Sequence, residues 1–287
     1  MDSARYHSQN NYERIFGEKI RDCKYGENGW QKAALYSSGT SDPLALDKFQ
    51  LIEGTDPSYN NLCDLDRLLQ TINHIAAVFP NKKIAVAVKH GNPCGASVGD
   101  DAISVLQKTI DGDRRAIFGG VVMTNFPIRE AEADCLNFYN LDEGVKRRIL
   151  DVVIAPSFDL WAKDILSRQK GKCRLLANPE LEKIGRQSLD SAPRFRFVRG
   201  GFLKQSNYNF VLDLADPRVQ KYGRIETQQL DDLRLAWAIG ATSNSNTSTL
   251  VKNKQLIGNG VGQQDRVGSC SLAVLRAKTS GHDTIDA

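Results

Sequence analysis

A run of five apolar residues at positions 84–88, three of them β-branched, constrains the fold of this chain most strongly. Such a run is typical of a short buried strand. Before it, seven apolar residues recur at three- and four-residue intervals over positions 65–79, and Pro80 follows them. This spacing predicts an amphipathic helix that ends at the proline. A helix leading directly into a buried strand indicates an α/β fold.

The rest of the chain repeats this alternation. Further apolar strands are predicted at residues 119–123, 151–155 and 248–251, and further helices at residues 102–110, 160–169 and 228–239. The pattern loosens over residues 178–194, which contain two prolines and mixed charge. We therefore expect two α/β units, one over residues 1–180 and one over residues 181–287.

Composition excludes several classes of protein. Net charge is only +4, so nucleic acid binding has little support, whereas a small anionic substrate fits. No apolar stretch reaches the roughly 18 residues that a membrane span needs, and residues 1–11 lack a signal-peptide core. The six cysteines form no CxxC pair, which indicates reduced thiols and no structural zinc. We expect a cytoplasmic protein.

Two titratable side chains, Lys89 and His90, stand where the strand at residues 84–88 leaves the core. Gly91, Pro93 and Gly95 then predict an irregular loop before the next helix. An imidazole titrates near neutral pH, and a neighbouring ammonium donates a proton or stabilises negative charge. The pair suits proton transfer, although one exposed lysine and one hydrogen-bonded histidine in a loop would give the same sequence.

The run Val-Lys-His-Gly-Asn-Pro-Cys-Gly-Ala at residues 88–96 resembles the Lys-His-x-Asn-Pro-Cys-Gly motif of the aminoimidazole carboxamide ribonucleotide (AICAR) formyltransferases. Three other segments resemble the substrate-binding segments of that family in the same order. The turn with Lys24, Tyr25 and Gly26 is similar to the family's phosphate-binding Arg-Tyr-Gly-Glu-Asn segment, with lysine in place of arginine. The resemblance of Ser-Tyr-Asn-Asn implies that Asn61 lies by the substrate, and the resemblance of Phe-Gly-Gly implies that the backbone at Gly119 approaches it closely. Read alone, Asn61 could simply cap a helix.

Two later segments complete the resemblance. Asp-Val-Val-Ile-Ala-Pro begins with Asp151, which the family pattern places on the ribose hydroxyls of the substrate. Ile-Gly-Asn-Gly-Val-Gly-Gln-Gln-Asp-Arg, at residues 257–266, is similar to the family's Ile-Gly-x-Gly-x-Gly-Gln-x-x-Arg signature. Counting back from it without gaps puts Asn246 on the catalytic asparagine, with Asn244 as the alternative. The resemblance places Arg266 and Val267 near the folate.

The resemblance implies formyl transfer from 10-formyltetrahydrofolate to the 5-amino group of AICAR, in purine biosynthesis. Lys89, His90 and Asn246 would be the catalytic residues. The implied fold has two cytidine-deaminase-like α/β subdomains, the second incomplete, with active sites in a homodimer. A zinc site is not expected, because Ser97 stands where the deaminase signature needs its second cysteine. The resemblance is also compatible with a monovalent cation bound near Asn246.

The resemblance also implies a chain without the cyclohydrolase domain and truncated at its C-terminal end. This leaves a second interpretation open, that of a non-catalytic nucleotide-binding or complementation-dependent fragment of the same family. A third interpretation, an RNA-binding domain, has little support from a net charge of only +4.

Overall fold

A computed structural model describes residues 13–220, 222–285 and 287 of the chain. Its helices are α1 (Tyr59–Val78), α2 (Ala102–Gly112), α3 (Arg114–Ile117), α4 (Glu130–Phe138), α5 (Leu160–Leu166), α6 (Thr227–Gly240) and α7 (Arg266–Thr279). Its strands are β1 (Glu18–Cys23), β2 (Ala33–Ser37), β3 (Gln50–Glu53), β4 (Lys83–Lys89), β5 (Asn92–Gly99), β6 (Gly120–Thr124), β7 (Leu150–Ala155), β8 (Arg174–Ala177), β9 (Arg194–Val198), β10 (Gly201–Gln205), β11 (Ser248–Lys252) and β12 (Gln255–Gly260). The α/β fold class predicted from the sequence is confirmed.

Eight strands form one large mixed sheet in the order β11-β12-β5-β4-β6-β7-β8-β3. β6, β7 and β8 run parallel to one another, whereas β5, β4 and β6 alternate in direction. Two separate hairpins, β1–β2 and β9–β10, lie outside this sheet. The sheet takes strands from both sides of residue 180, and the predicted division of the chain there stays a prediction.

Helices cover both faces of the sheet because its strands alternate two sets of apolar side chains. On one face, Ile84, Val86 and Val88 of β4 share a core with α1 and α6. On the other face, Ala85 and Ala87 of the same strand pack with the core of α2, α4 and α5. This burial on both sides explains why β4 reads as a continuous apolar run.

The sequence predicts an irregular loop after His90. This prediction is wrong for residues 92–99, because they form the strand β5. Pro93 is tolerated there because it pairs with Val88 next to an irregularity in the strand register, where a missing N–H costs little. Gly95 serves close packing, since a Cβ on it would lie 2.1 Å from the carbonyl oxygen of Thr109 in α2. The segment therefore forms a hairpin with β4, and the helix starts only at Ala102.

A helix–hairpin–helix unit occurs twice. α1, β4, β5 and α2 form the first unit, and α6, β11, β12 and α7 form the second. β12 pairs antiparallel with β5 in the middle of the two units. The first helices, α1 and α6, share one core on one face of the sheet. One unit lies in each of the two predicted halves of the chain.

Candidate active site

The Lys89-His90 pair stands at the tip of the β4–β5 hairpin. His90 and Gly91 form its two-residue turn, and both have positive φ values, 51° and 70°. Two left-handed residues match the twist of a tight hairpin, but histidine adopts this conformation at a cost that glycine does not bear. The side-chain amide of Asn92 donates to the carbonyl oxygen of His90 at 3.0 Å.

Asp64, in the second turn of α1, contacts this hairpin turn from one side. Its Oδ1 accepts a hydrogen bond from the backbone N–H of Gly91 at 2.6 Å, and the side chain is buried. Burial raises the pKa of the Asp64 carboxyl, while the N–H groups of Gly91 and His90 oppose that rise because they stabilise the charged form. α1 is thereby joined directly to the turn that carries His90.

Lys89 reaches the start of the neighbouring strand β6. Its Nζ donates to the carbonyl oxygen of Phe118 at 2.5 Å, next to Gly119. Gly119 has φ of 69°, and its N–H donates to the carbonyl oxygen of Ile149 at 2.7 Å. Asp151, two residues further on, therefore lies at the same end of the sheet, with its Oδ1 3.7 Å from the guanidinium of Arg168.

The segment with Asn244 and Asn246 reaches the same end of the sheet from the second unit. Asn244 donates from Nδ2 to Oδ1 of Asn92 at 3.0 Å, which ties it to the Lys-His hairpin. The Nδ2 of Asn246 donates to the carbonyl oxygens of Gln263 and Gln264, at 3.1 and 3.3 Å. Asn244 contacts the hairpin directly, whereas Asn246 contacts the segment that follows β12.

Arg67 of α1 holds this segment against the first unit. Its guanidinium donates to the carbonyl oxygen of Thr242 and, at 3.3 Å, to Oδ1 of Asn244. Burial lowers the pKa of Arg67, because the charged form loses hydration. A guanidinium remains charged in proteins, so Arg67 acts only as a donor in these contacts.

Asn259 of β12 is a buried junction between the two units. Its Nδ2 donates to the carbonyl oxygen of Pro93 at 3.0 Å and to the hydroxyl of Ser243 at 3.2 Å. Its Oδ1 accepts from the hydroxyls of Thr247 and Thr249, at 3.3 and 3.0 Å. One side chain thus fixes the Asn244–Asn246 segment relative to the strand that follows the Lys-His turn.

A cavity of about 220 Å³ opens beside the pair. It is lined by Lys89, His90, Asn92, Pro93, Cys94, Gly112, Asp113, Ala116, Gly258, Asn259, Val261 and Arg276. Asp113 and Arg276 form an ion pair of 2.8 Å in its wall, and burial raises the pKa of the Cys94 thiol to about 12. Ligand pockets usually occupy about 300–1,000 Å³, so this cavity by itself accommodates part of a nucleotide.

The other predicted residues lie outside that cavity. Lys24, Tyr25 and Gly26 form the turn after β1, and this turn contacts the start of α1, where Nδ2 of Asn60 donates to the carbonyl oxygen of Glu27 at 3.3 Å. Asn61 accepts at Oδ1 from the backbone N–H of Ser58, at 3.1 Å, in a capping box. The capping role suggested by the sequence is therefore present.

Arg266 and Val267 begin α7, where both side chains are exposed. The structure thus brings Lys89, His90, Gly119, Asp151 and the Asn244–Asn246 segment to one end of the sheet. It does not place Tyr25, Asp151 or Asn246 in the cavity that Lys89 and His90 line.

Sequence reasoning missed Asp64 and Asn259. Asp64 had a signal, because it lies on the apolar stripe of α1, four residues before Leu68, where a carboxylate is unexpected without a partner. Asn259 had no such signal in the sequence. Its contact with Pro93 exists only because β12 lies beside β5 in the sheet.

Within residues 13–220 and 222–285, no cluster of three or more His, Cys, Asp and Glu side chains is arranged to hold a metal ion. In the same part of the chain, no helix combines the length and apolar character needed to cross a membrane.

Comparison with known proteins gives a consistent result. Residues 2–276 match the family described as AICARFT/IMPCHase bienzyme. The chain is 34% identical over 259 residues to the bifunctional purine biosynthesis protein PurH of Anoxybacillus flavithermus, covering 90% of this chain and 47% of the relative. It is 32% identical over 281 residues to the PurH of Prochlorococcus marinus, covering 92% of this chain and 49% of the relative. The chain spans about half the length of the curated relatives that it matches.

Proposed function

The chain belongs to the AICARFT/IMPCHase bienzyme family, and from this membership we propose that it transfers a formyl group from 10-formyltetrahydrofolate to the 5-amino group of AICAR. The reaction would yield formyl-AICAR in purine biosynthesis. Its chemistry needs a base for the amine proton and a group that stabilises the oxyanion formed on the formyl carbon.

One observation supports this proposal most strongly. The Lys89-His90 turn and the Asn244–Asn246 segment, far apart in the sequence, are joined at one end of the sheet by the hydrogen bond between Asn92 and Asn244. A base, a cation and amide groups are thereby available on neighbouring loops. This is the set of groups that acyl transfer to an amine requires.

We assign the chemical roles as follows. His90 removes the proton from the amine as it attacks the formyl carbon, and Lys89 stabilises the resulting oxyanion or protonates the folate nitrogen that leaves. Asn246 orients the carboxamide or the imidazole. The remaining assignments rest on the family pattern: Lys24, Tyr25, Gly26, Asn61, Gly119 and Asp151 bind the nucleotide, and Arg266 and Val267 lie near the folate.

The finer architecture is part of the same proposal. The two helix–hairpin–helix units support a description as two cytidine-deaminase-like subdomains, over residues 1–180 and 181–287. A cytoplasmic homodimer would complete the sites. A monovalent cation near Asn246 would find carbonyl oxygens of Gln263 and Gln264, which suit an alkali ion, although both already accept from Asn246. No step is routed through that ion.

A His90→Ala variant tests the reaction. We expect it to keep nucleotide-dependent thermal stabilisation, because the imidazole is assigned to proton transfer rather than to binding. Tetrahydrofolate release should fall about 10²- to 10⁴-fold, the usual contribution of a general base. His282→Ala is the matched control, since His282 binds the carbonyl oxygen of Asp111 and does not line the cavity beside Lys89 and His90. Unchanged turnover in His90→Ala would remove His90 from the mechanism.

The second candidate is a nucleotide-binding protein that does not catalyse the transfer. Lys24 favours it, because a lysine lacks the two-pronged fit of the family's arginine on a phosphate, so the nucleotide would be held differently. Thermal stabilisation by AICAR without tetrahydrofolate release from the wild-type chain would support this candidate and contradict the transferase.

A further inference from the structure

The left-handed turn that carries His90 needs something to hold it. His90 has φ of 51° and Gly91 has φ of 70°, and a non-glycine residue adopts this conformation only when its surroundings enforce it. The turn is at the surface, with an exposed His90 side chain, so packing around the imidazole does not enforce it. Its backbone N–H groups face α1 instead.

Asp64 provides that enforcement. Its carboxylate accepts from the N–H of Gly91 at 2.6 Å, and only 8% of the residue is exposed. Hydrogen bonds to an ionised acceptor are shorter and stronger than those between neutral groups. Because the side chain is anchored on a long helix that packs against β4, it fixes the turn relative to the body of the protein.

The second unit contains the same arrangement. Asp232 is the sixth residue of α6, as Asp64 is the sixth residue of α1. Its two oxygens accept from the N–H groups of Asn253 and Lys254, at 3.0 and 2.6 Å, in the β11–β12 turn. Asn253 and Lys254 have φ of 55° and 57°. A helix carboxylate thus holds a left-handed hairpin turn in both units.

Only one of the two turns lies at the candidate site. Lys254 accepts a hydrogen bond at its carbonyl oxygen from Val98, near the end of β5, at 3.3 Å. The His90–Gly91 turn precedes the start of β5, so the two turns lie at opposite ends of the sheet. Asp232 therefore holds a turn without candidate catalytic residues.

We propose that Asp64 is a positioning residue, which fixes the backbone of His90 and so the directions in which Lys89 and His90 meet the substrates. This inference rests on the proposed transferase function for its kinetic consequence, but not for its structural one. Loss of the carboxylate would leave the helix and the hairpin in place and release the turn. Misplacement of a reacting group by about 1 Å can cost 10²-fold in rate.

Asp64→Ala tests the proposal, with Asp232→Ala as the matched control, because alanine removes the acceptor, whereas asparagine would keep an amide oxygen that can accept from the Gly91 N–H. Hydrogen exchange at the His90 and Gly91 amides should become at least tenfold faster in Asp64→Ala and stay unchanged in Asp232→Ala. In the formyl transfer assay, kcat should fall about 10²-fold in Asp64→Ala. The KM for AICAR should stay within about threefold, because Asp64 contacts the turn and not the nucleotide. Asp232→Ala should keep kcat within about twofold.

Three outcomes would overturn the inference. They are unchanged exchange at His90 and Gly91, a kcat in Asp64→Ala within about twofold of wild type, or an equal loss of kcat in both variants, which would indicate a merely structural role. If the wild-type chain itself shows no turnover, the proposed function fails while the exchange measurement still decides the role of Asp64. Should Asp64→Ala not fold, Asp64→Leu keeps most of the side-chain volume without an acceptor and serves for the same measurements.

Discussion

Buried thiols make the stability of this protein sensitive to alkaline pH. Cys173, just before β8, is 2% exposed, and burial raises the pKa of its thiol to about 11. Burial likewise raises the pKa of Cys135 to about 11. An unfolded cysteine ionises near pH 8.5, so above that pH the unfolded chain gains a stabilised thiolate that the folded protein does not form. The stability that these groups contribute is complete below about pH 8.5 and is lost by about pH 11.

We therefore predict that Cys173→Ala flattens the pH dependence of stability. Each such thiol should lower the free energy of unfolding by about 1.2 kcal/mol between pH 9 and pH 10, because the unfolded state binds fewer protons there. Urea titrations at the two pH values measure this slope. Cys270→Ala, at an exposed cysteine, is the control. Equal slopes in wild type and Cys173→Ala would show that Cys173 ionises in the folded protein.

At the scale of single residues, the sequence was informative about side chains that follow a strand and uninformative about long-range partners. The apolar run at residues 84–88 was enough to place Lys89 and His90 at the end of β4. The bond between Asn92 and Asn244, and the junction at Asn259, depend on β12 lying beside β5. Local pattern carries no information about that pairing.

At the scale of elements, glycines that look like a phosphate-binding turn serve helix packing. Gly258 and Gly260 belong to β12, where the backbone of α7 fills the space beside them. A Cβ on Gly258 would lie 2.3 Å from the carbonyl oxygen of Ala273, just as a Cβ on Gly95 would meet α2. The Gly-x-Gly-x-Gly spacing alone could not distinguish these roles, because both need a backbone without a Cβ.

We predict that Gly258→Ala destabilises the protein by about 2–3 kcal/mol, because α7 must move away from β12 to admit a methyl group. Urea-induced unfolding followed by circular dichroism measures the change. Gly201→Ala is the matched control, since a Cβ there meets open space, and it should change stability by no more than about 0.5 kcal/mol. A similar effect of both substitutions would contradict close packing as the reason for Gly258.

At the scale of the whole molecule, the two repeated units share one hydrophobic core and one β-sheet. Leu235, Ala238 and Ile239 of α6 are buried in the same core as Leu65 and Ile72 of α1. β12 continues the sheet beyond β5. The pattern of the sequence indicated two α/β units near a division at residue 180, and it contained no sign that their strands join. Helix periodicity identifies the buried face of a helix and not the element that covers it.

This shared core predicts that the described part of the chain unfolds as one cooperative unit. Native-state hydrogen exchange in increasing urea should give β4 and β7, on one side of residue 180, the same opening free energy as α6 and β12 on the other. Ile239→Ala, at a fully buried position between α6 and α1, should lower all four values together by about 2–5 kcal/mol, since the cavity it creates belongs to both units. Leu203→Ala, in the exposed β9–β10 hairpin, should leave them unchanged. Loss of protection in α6 and β12 at a lower urea concentration than in β4 and β7 would instead establish two independently stable domains on either side of residue 180.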